Sequence, residues 1–127
     1  MRTVIAATVS VVLASAAATA LAQSGDTARG ERVFNQQCKT CHTVEKGGAS
    51  LIGPNLFGMF GHKAGTGQGF AHSEAMAKSG IVWDDKTVAE YLKDPKGRVP
   101  GTKMVHAGLK RQEQLDDVIA YLKKVTQ

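Results

Sequence analysis

Two cysteines and a histidine form the most informative motif of the chain. The segment Cys38-Lys39-Thr40-Cys41-His42 has the C-x-x-C-H pattern, which is the attachment sequence of c-type haem. Cysteines at this spacing can each form a thioether with a haem vinyl group, and the next residue can then place its imidazole on the iron. The motif therefore predicts one covalently attached haem.

Three other uses of two cysteines compete with this interpretation. A thioredoxin-like redox pair would need a βαβ context, which the sequence pattern lacks. A zinc site would need a fourth ligand at a recognisable spacing, and the remaining histidines are isolated in the sequence. A disulfide between Cys38 and Cys41 would constrain little of the unfolded chain. The histidine that follows Cys41 directly favours haem.

A haem held through His42 needs either a sixth iron ligand or an open site. The difference separates an electron carrier from a haem enzyme or a gas-responsive protein. Met104 has the best local context, because Pro100-Gly101-Thr102-Lys103-Met104 is rich in turn-forming residues and can present a thioether from a loop. The full set of candidates is Met59, Met76, Met104, His62, His72 and His106.

The hydrophobic pattern predicts an all-α fold. Asp26 can cap a first helix that runs up to Cys38. Apolar residues over 115–125 recur at the spacing of one helix face, which predicts a last helix. Shorter helices between them are predicted by two further pairs of start and stop residues: Ser73 with Gly80, and Asp84 with Asp94-Pro95.

The segment 47–69 interrupts this helical pattern. It holds eight of the 14 glycines and has no sustained hydrophobic period. A loop of this length in a small domain is usually either disordered or wrapped around a group that is not protein. Because the segment also carries Pro54 and several apolar side chains, we expect it to form one wall of a cofactor pocket.

The first 22 residues have the layout of a secretory signal peptide. A positive start at Arg2 precedes an apolar run over 4–21, and Ala20-Leu21-Ala22 offers a small-residue cleavage site. A retained membrane anchor is the alternative, but the run is thin in leucine and isoleucine. We expect a cleaved signal peptide at 1–22, export to the periplasm, and a single domain at 23–127 that does not span a membrane.

The composition argues against a large enzyme and favours an acidic partner surface. The chain has four Phe, two Tyr and one Trp, too little core for a large enzyme with a sealed cleft. The formal net charge of +5 favours an acidic partner surface. The basic residues are scattered and do not alternate with aromatic ones, so nucleic acid is not an expected partner. We expect a monomer.

Four stretches of the chain, at 41–48, 53–56, 100–104 and 119–124, resemble the class I cytochrome c family, of the mitochondrial type and its bacterial relative cytochrome c2. The resemblance covers essentially the whole of 23–127. It implies a small fold with packed terminal helices and glycine-rich loops around one haem. It also implies an electron-transfer protein, not an enzyme, that carries single electrons from a quinol:cytochrome c reductase to a terminal oxidase or a photosynthetic reaction centre.

The same resemblance implies roles for individual residues. The Pro54 carbonyl would accept a hydrogen bond from the ring of His42. Tyr91 would point its hydroxyl at the sulfur of Met104, and the indole N–H of Trp83 would reach a haem propionate. The implied attachment residues and axial ligands are Cys38 and Cys41, and His42 and Met104. The implied helix contacts are those of Gly30 and Phe34 with Val118 and Tyr121.

Four residues near the implied haem depart from the family pattern: His62, His72, Met76 and His106. The first three leave the propionate environment open. His106 replaces a phenylalanine that usually shields the haem edge. We expect His106 to be a solvent-facing residue at the rim, and exchange with Met104 as an iron ligand is the alternative.

Five basic residues match positions of the family's basic ring around the haem edge: Arg32, Lys96, Lys103, Lys110 and Arg111. Four other ring positions hold the neutral residues Gln37, Ala49, Leu51 and Gly97. We therefore expect membrane-bound redox complexes with acidic docking surfaces as partners, with weaker electrostatic steering than a full ring gives. A dedicated acceptor of one periplasmic dehydrogenase is the alternative.

Overall fold

The computed structural model describes residues 25–127, so the predicted signal peptide at 1–22 lies outside the described residues. Within this range the helices are α1 (Thr27–Gln37), α2 (Glu74–Lys78), α3 (Asp85–Lys93), α4 (Pro95–Arg98) and α5 (Gln112–Val125). The same residues contain no strand, only an isolated bridge between Lys63 and Val82. The all-α prediction is confirmed. None of the described helices has the length and hydropathy needed to cross a bilayer.

The most extensive helix packing among the described residues is between α1 and α5. Gly30 makes it possible, because a Cβ at this position would lie 1.9 Å from the carbonyl oxygen of Asp117. One turn later, the rings of Phe34 and Tyr121 pack with their centroids 5.5 Å apart. Val118 is completely buried. The predicted contact between the terminal helices is therefore present.

An ion pair reinforces the same contact. Asp117 is buried, with only 3% of the residue exposed. It accepts hydrogen bonds from Arg29 Nε at 2.7 Å and from the Asp26 backbone N–H at 2.7 Å. The bond from Arg29 is the main reason that the pKa of Asp117 lies below its ordinary value. The sequence pattern does not predict this pair, whose members are far apart in the chain.

Side-chain caps at Asp26, Ser73 and Asp84 set the starts of α1, α2 and α3, as predicted. Asp94-Pro95 ends α3 as expected, but it does more than stop a helix. The Asp94 side chain accepts the N–H of Gly97, and Pro95 occupies the first turn of α4, where a missing N–H costs nothing. The short helix α4 was not predicted from the sequence.

Two hydrophobic clusters divide the interior. The first joins α1, α3 and α5 around buried residues that include Phe34, Leu115 and Val118. The second surrounds Tyr91 and has Met104 packed against it. Helix α3 contributes to both, with Val88 in the first cluster and Tyr91 in the second. Residues from both clusters line one large cavity.

Candidate haem site

The cavity has a volume of about 1080 Å³. Its walls come from the end of α1, the loop after Cys41, the glycine-rich segment and the segment 102–106. All seven residues predicted to bind haem or its iron line it: Cys38, Cys41, His42, Pro54, Trp83, Tyr91 and Met104. The four residues that depart from the family pattern line it too: His62, His72, Met76 and His106. The prediction that the segment 47–69 forms one wall agrees with this lining.

A turn at the end of α1 brings both thiols to the cavity. The backbone N–H groups of Cys41 and His42 both donate to the Cys38 carbonyl, at 3.0 Å each. The two thiols are free and half-buried. Burial, with a smaller contribution from Cys41, raises the pKa of the Cys38 thiol to about 11. Redox-active cysteines have lowered pKa values, so this site does not suit a thioredoxin-like pair.

The described residues do not favour a zinc site either. No three His, Cys, Asp or Glu side chains in the range 25–127 converge to hold a metal ion. A structural zinc ion needs four protein ligands. The two thiols are therefore better suited to separate bonds with a larger group than to a shared metal.

The ring of His42 has a defined orientation. Its Nδ1 lies 2.8 Å from the Pro54 carbonyl oxygen. Since a carbonyl can only accept, Nδ1 carries the proton and Nε2 keeps a lone pair. Burial lowers the pKa of His42, although the Pro54 carbonyl opposes this shift. The imidazole is thus held neutral with Nε2 free to bind a metal, and the carbonyl makes it a firmer donor.

Gly53 and Asn55 hold the loop against this ring. A Cβ on Gly53 would lie 2.4 Å from the His42 ring, so only glycine fits here. The Asn55 amide donates to Thr43 Oγ1 at 2.7 Å and to the Glu45 carbonyl at 3.0 Å. Both residues lie in a stretch that carries the resemblance, but their contacts with this loop were not predicted.

The Met104 side of the cavity is organised by Thr102. The hydroxyl of Tyr91 lies 2.6 Å from Thr102 Oγ1, and the Met104 backbone N–H donates to the same oxygen at 3.3 Å. In the structure the hydrogen-bond partner of Tyr91 is thus Thr102, not the Met104 sulfur as the resemblance implied. A hydroxyl oxygen is a stronger acceptor than a thioether. Burial raises the pKa of Tyr91 above its ordinary value, which keeps the hydroxyl protonated.

Further aromatic side chains line the same cavity. The ring of Trp83 packs against Tyr91 with centroids 5.4 Å apart. His72 Nε2 lies 3.1 Å from the Gly67 carbonyl, and its ring meets the edge of Phe70. His62 is exposed. The contact of Trp83 with a propionate stays a prediction.

His106 was expected to face solvent at the rim. It lies at the rim, but it is half-buried and bonded through both ring nitrogens, to Gln37 and to Gly108. Sequence reasoning missed Gln37 as its partner, because the two residues are 69 positions apart.

The predicted basic residues Arg32, Lys96, Lys103, Lys110 and Arg111 are all exposed. Of these, Lys103 lines the cavity. The Lys103 ammonium donates to the Ala71 carbonyl at 2.9 Å, and that of Lys110 donates to the Lys93 carbonyl at 2.7 Å. Each ammonium keeps further donors for solvent or a partner.

The donor set fits a covalently attached haem. Two thiols one turn apart and one neutral imidazole with a free Nε2 lie on the same wall, while a thioether lies beside the second cluster. The volume and the mostly apolar lining match a site for a large, flat, apolar group.

Comparison with known proteins gives the same result. The family model described as Cytochrome c matches residues 27–126. Cytochrome c of Chlamydomonas reinhardtii is 50% identical over 105 residues, which are 83% of this chain and 94% of that protein. Cytochrome c2 of Blastochloris viridis is 47% identical over 113 residues, which are 89% of this chain and 87% of that protein. The chain therefore belongs to the cytochrome c family, whose members bind haem c covalently through cysteines and act as electron carriers, not enzymes.

Proposed function

We propose that this protein is a periplasmic electron carrier in which haem is attached to Cys38 and Cys41, with His42 and Met104 as axial ligands. The observation that carries the proposal is that all four donors line one cavity from two walls. When bound, the haem supplies a one-electron couple between ferric and ferrous iron.

The axial residues would set the properties of this couple. His42 is oriented by Pro54 and presents an unprotonated Nε2. A Met104 thioether would stabilise the ferrous state and raise the potential relative to a second histidine. With both axial positions taken by protein, oxygen and peroxide would have no open coordination site. This arrangement favours an electron carrier over a haem enzyme.

The surface charge supports membrane-bound redox complexes as partners. Exposed basic residues and a formal net charge that stays positive without Arg2 of the predicted signal peptide complement an acidic docking surface. We propose a quinol:cytochrome c reductase as the donor and a terminal oxidase or photosynthetic reaction centre as the acceptor. The protein would move between them as a monomer.

Electron-transfer kinetics test this part of the proposal. The second-order rate constants for reduction by the reductase and oxidation by the oxidase are measured by stopped flow over a range of salt concentrations. The rates should fall as salt rises, because screening weakens steering. Lys96→Gln should lower the rate at low salt by about twofold. Lys124→Gln, the same charge change near the end of α5, is the control.

Equal rates for the two variants, with no salt dependence, would contradict docking through the basic residues. Co-purification with a single dehydrogenase that persists at high salt would favour the dedicated-subunit alternative instead. Export is tested separately, by the mass of the mature protein in a periplasmic fraction. A chain that begins at Gln23 is expected, and a retained N-terminal segment would contradict cleavage after residue 22.

A further inference from the structure

The segment that carries Met104 has few backbone ties. Its ends are anchored: the Thr102 N–H donates to the Val99 carbonyl at 3.0 Å, and the Leu109 N–H donates to the Leu92 carbonyl at 2.7 Å. Among the described residues, no backbone group of 103–107 bonds to another backbone group. The position of Met104 within this segment therefore depends on side-chain contacts.

One of these contacts comes from His106. Its Nδ1 accepts the backbone N–H of Gly108 at 2.8 Å, so the proton of the neutral ring is on Nε2. Nε2 lies 3.1 Å from Gln37 Oε1, which leaves Nε2–H as the donor and the amide oxygen as the acceptor. The phenylalanine that the family usually has here could make neither bond.

This hydrogen bond joins the two sides of the cavity. Gln37 is the last residue of α1 and directly precedes Cys38. Both Gln37 and His106 line the cavity. Along the segment, Met104 and His106 are half-buried while their neighbour Val105 is 84% exposed. The alternation puts Met104 and His106 on the same side of an extended backbone.

We propose that His106 is a positioning residue for Met104. By bonding to Gln37, it ties the Met104 segment to the helix end that carries the haem attachment site and so opposes the opening of the segment away from the iron. The proposal rests on the proposed function in one respect, namely that Met104 is the sixth ligand. The bond between His106 and Gln37 would help to keep Met104 on the iron. His106 itself need not contact the iron.

Competition with imidazole tests the proposal. Added imidazole binds ferric iron only where Met104 has left, and the far-red band of thioether-bound ferric iron reports that departure. Gln37→Leu removes the acceptor and should raise the apparent affinity for imidazole about fivefold, the equivalent of one neutral hydrogen bond. Gln37→Glu keeps an acceptor and should stay within about twofold of the unmodified protein. Gln36→Leu, at an exposed position one residue earlier, should have no effect.

A double-mutant cycle separates this role from general loosening of the fold. In a His106→Ala background, Gln37→Leu should have no further effect on imidazole affinity. Equal affinities for Gln37→Leu and the unmodified protein would overturn the proposal, as would a full effect of Gln37→Leu without His106. If the unmodified ferric protein lacks the far-red band, the ligation by Met104 in the proposed function fails, which is a different and recognisable result.

Discussion

The contact between α1 and α5 and the segment around Met104 are stabilised in different ways. The helices meet through a glycine that no larger residue could replace without a clash, a fully buried valine, and an ion pair between the buried Asp117 and the exposed Arg29. The segment 103–107 has no backbone-to-backbone hydrogen bond among the described residues and is held by bonds of the Thr102, Lys103 and His106 side chains. The helix contact is made by protein groups on both sides, whereas the proposed haem would lie between the cavity walls and complete their packing.

This difference explains how one small domain supports redox chemistry. A rigid helix pair fixes the two cysteines at its edge, while a loosely tied segment brings in a thioether from another part of the chain. Retention of Met104 as the proposed sixth iron ligand would then depend on a few weak bonds. Stability of the fold and retention of the ligand should therefore respond to different substitutions.

The largest difference between the cavity walls and the helix contact is expected when the two cysteines of the C-x-x-C-H motif are replaced. With Cys38→Ser and Cys41→Ser, no covalent haem forms and the cavity loses its contents. Hydrogen exchange of the hydrogen-bonded amides in 47–69 should then accelerate at least about tenfold more than at the centre of α1 and α5. The exchange rates are measured by mass spectrometry and compared with those of the holoprotein. An equal acceleration in the loop and in the helix centres would show that the two regions do not differ in their dependence on haem.

Gly30→Ala should have the next largest effect, on the helix contact. Its Cβ would overlap the Asp117 carbonyl oxygen at 1.9 Å, so the helices must separate at a cost of about 3 kcal/mol in the free energy of unfolding. Gly47→Ala is the control: it meets no atom within 4 Å but has φ +74°, which costs about 1 kcal/mol. Urea denaturation of the holoproteins measures both. Equal losses would show that the helix contact is not tightly packed at Gly30.

Asp117→Asn should weaken the same contact in a way that depends on pH. Because Arg29 lowers the pKa of Asp117 in the folded state, the carboxylate contributes its stability above the ordinary carboxyl pKa and loses it as pH falls through the lowered folded value. The variant should lose about 2 kcal/mol at neutral pH, and the difference should shrink in acid. Asp116→Asn, which bears only a bond from Gln112, is the control. A difference that is independent of pH would contradict the ion pair.

The smallest effect is expected from Tyr91→Phe, and it should be a loss of Met104 from the iron at a lower temperature. Loss of the bond to Thr102 Oγ1 should lower the temperature at which the far-red band disappears. The expected shift corresponds to the loss of one hydrogen bond, about 1 kcal/mol. Tyr121→Phe removes a hydroxyl on α5, outside the cavity lining, and should leave this temperature unchanged. A shift of equal size in both variants would mean that global stability, not the Thr102 contact, controls the band.

The sequence predicts the helical frame well because the information is local. Caps at Asp26, Ser73 and Asp84 and the apolar period of α5 are each contained within one helix. Part of the cavity lining was also predicted, since the C-x-x-C-H motif and the family resemblance point to Cys38, Cys41, His42 and Met104. The short helix α4 was missed, because a proline that ends one helix can equally begin the next.

Contacts between residues that are far apart in the sequence could not be predicted in this way. The bond from His106 to Gln37 joins residues 69 positions apart, and that from Arg29 to Asp117 joins residues 88 apart. Tyr91 was paired with the sulfur of Met104, whereas its hydroxyl bonds to Thr102. A residue type indicates which partners are chemically possible, but the choice among them depends on the folded backbone.

The visible spectrum of the purified holoprotein tests the central claim most directly. The ferric protein is examined for the far-red thioether-to-iron band, and the ferrous protein is exposed to carbon monoxide at neutral pH. With His42 and Met104 as ligands, the band is present and carbon monoxide does not bind. Absence of the band with ready binding of carbon monoxide would contradict ligation by Met104 and favour a haem enzyme or gas-responsive protein.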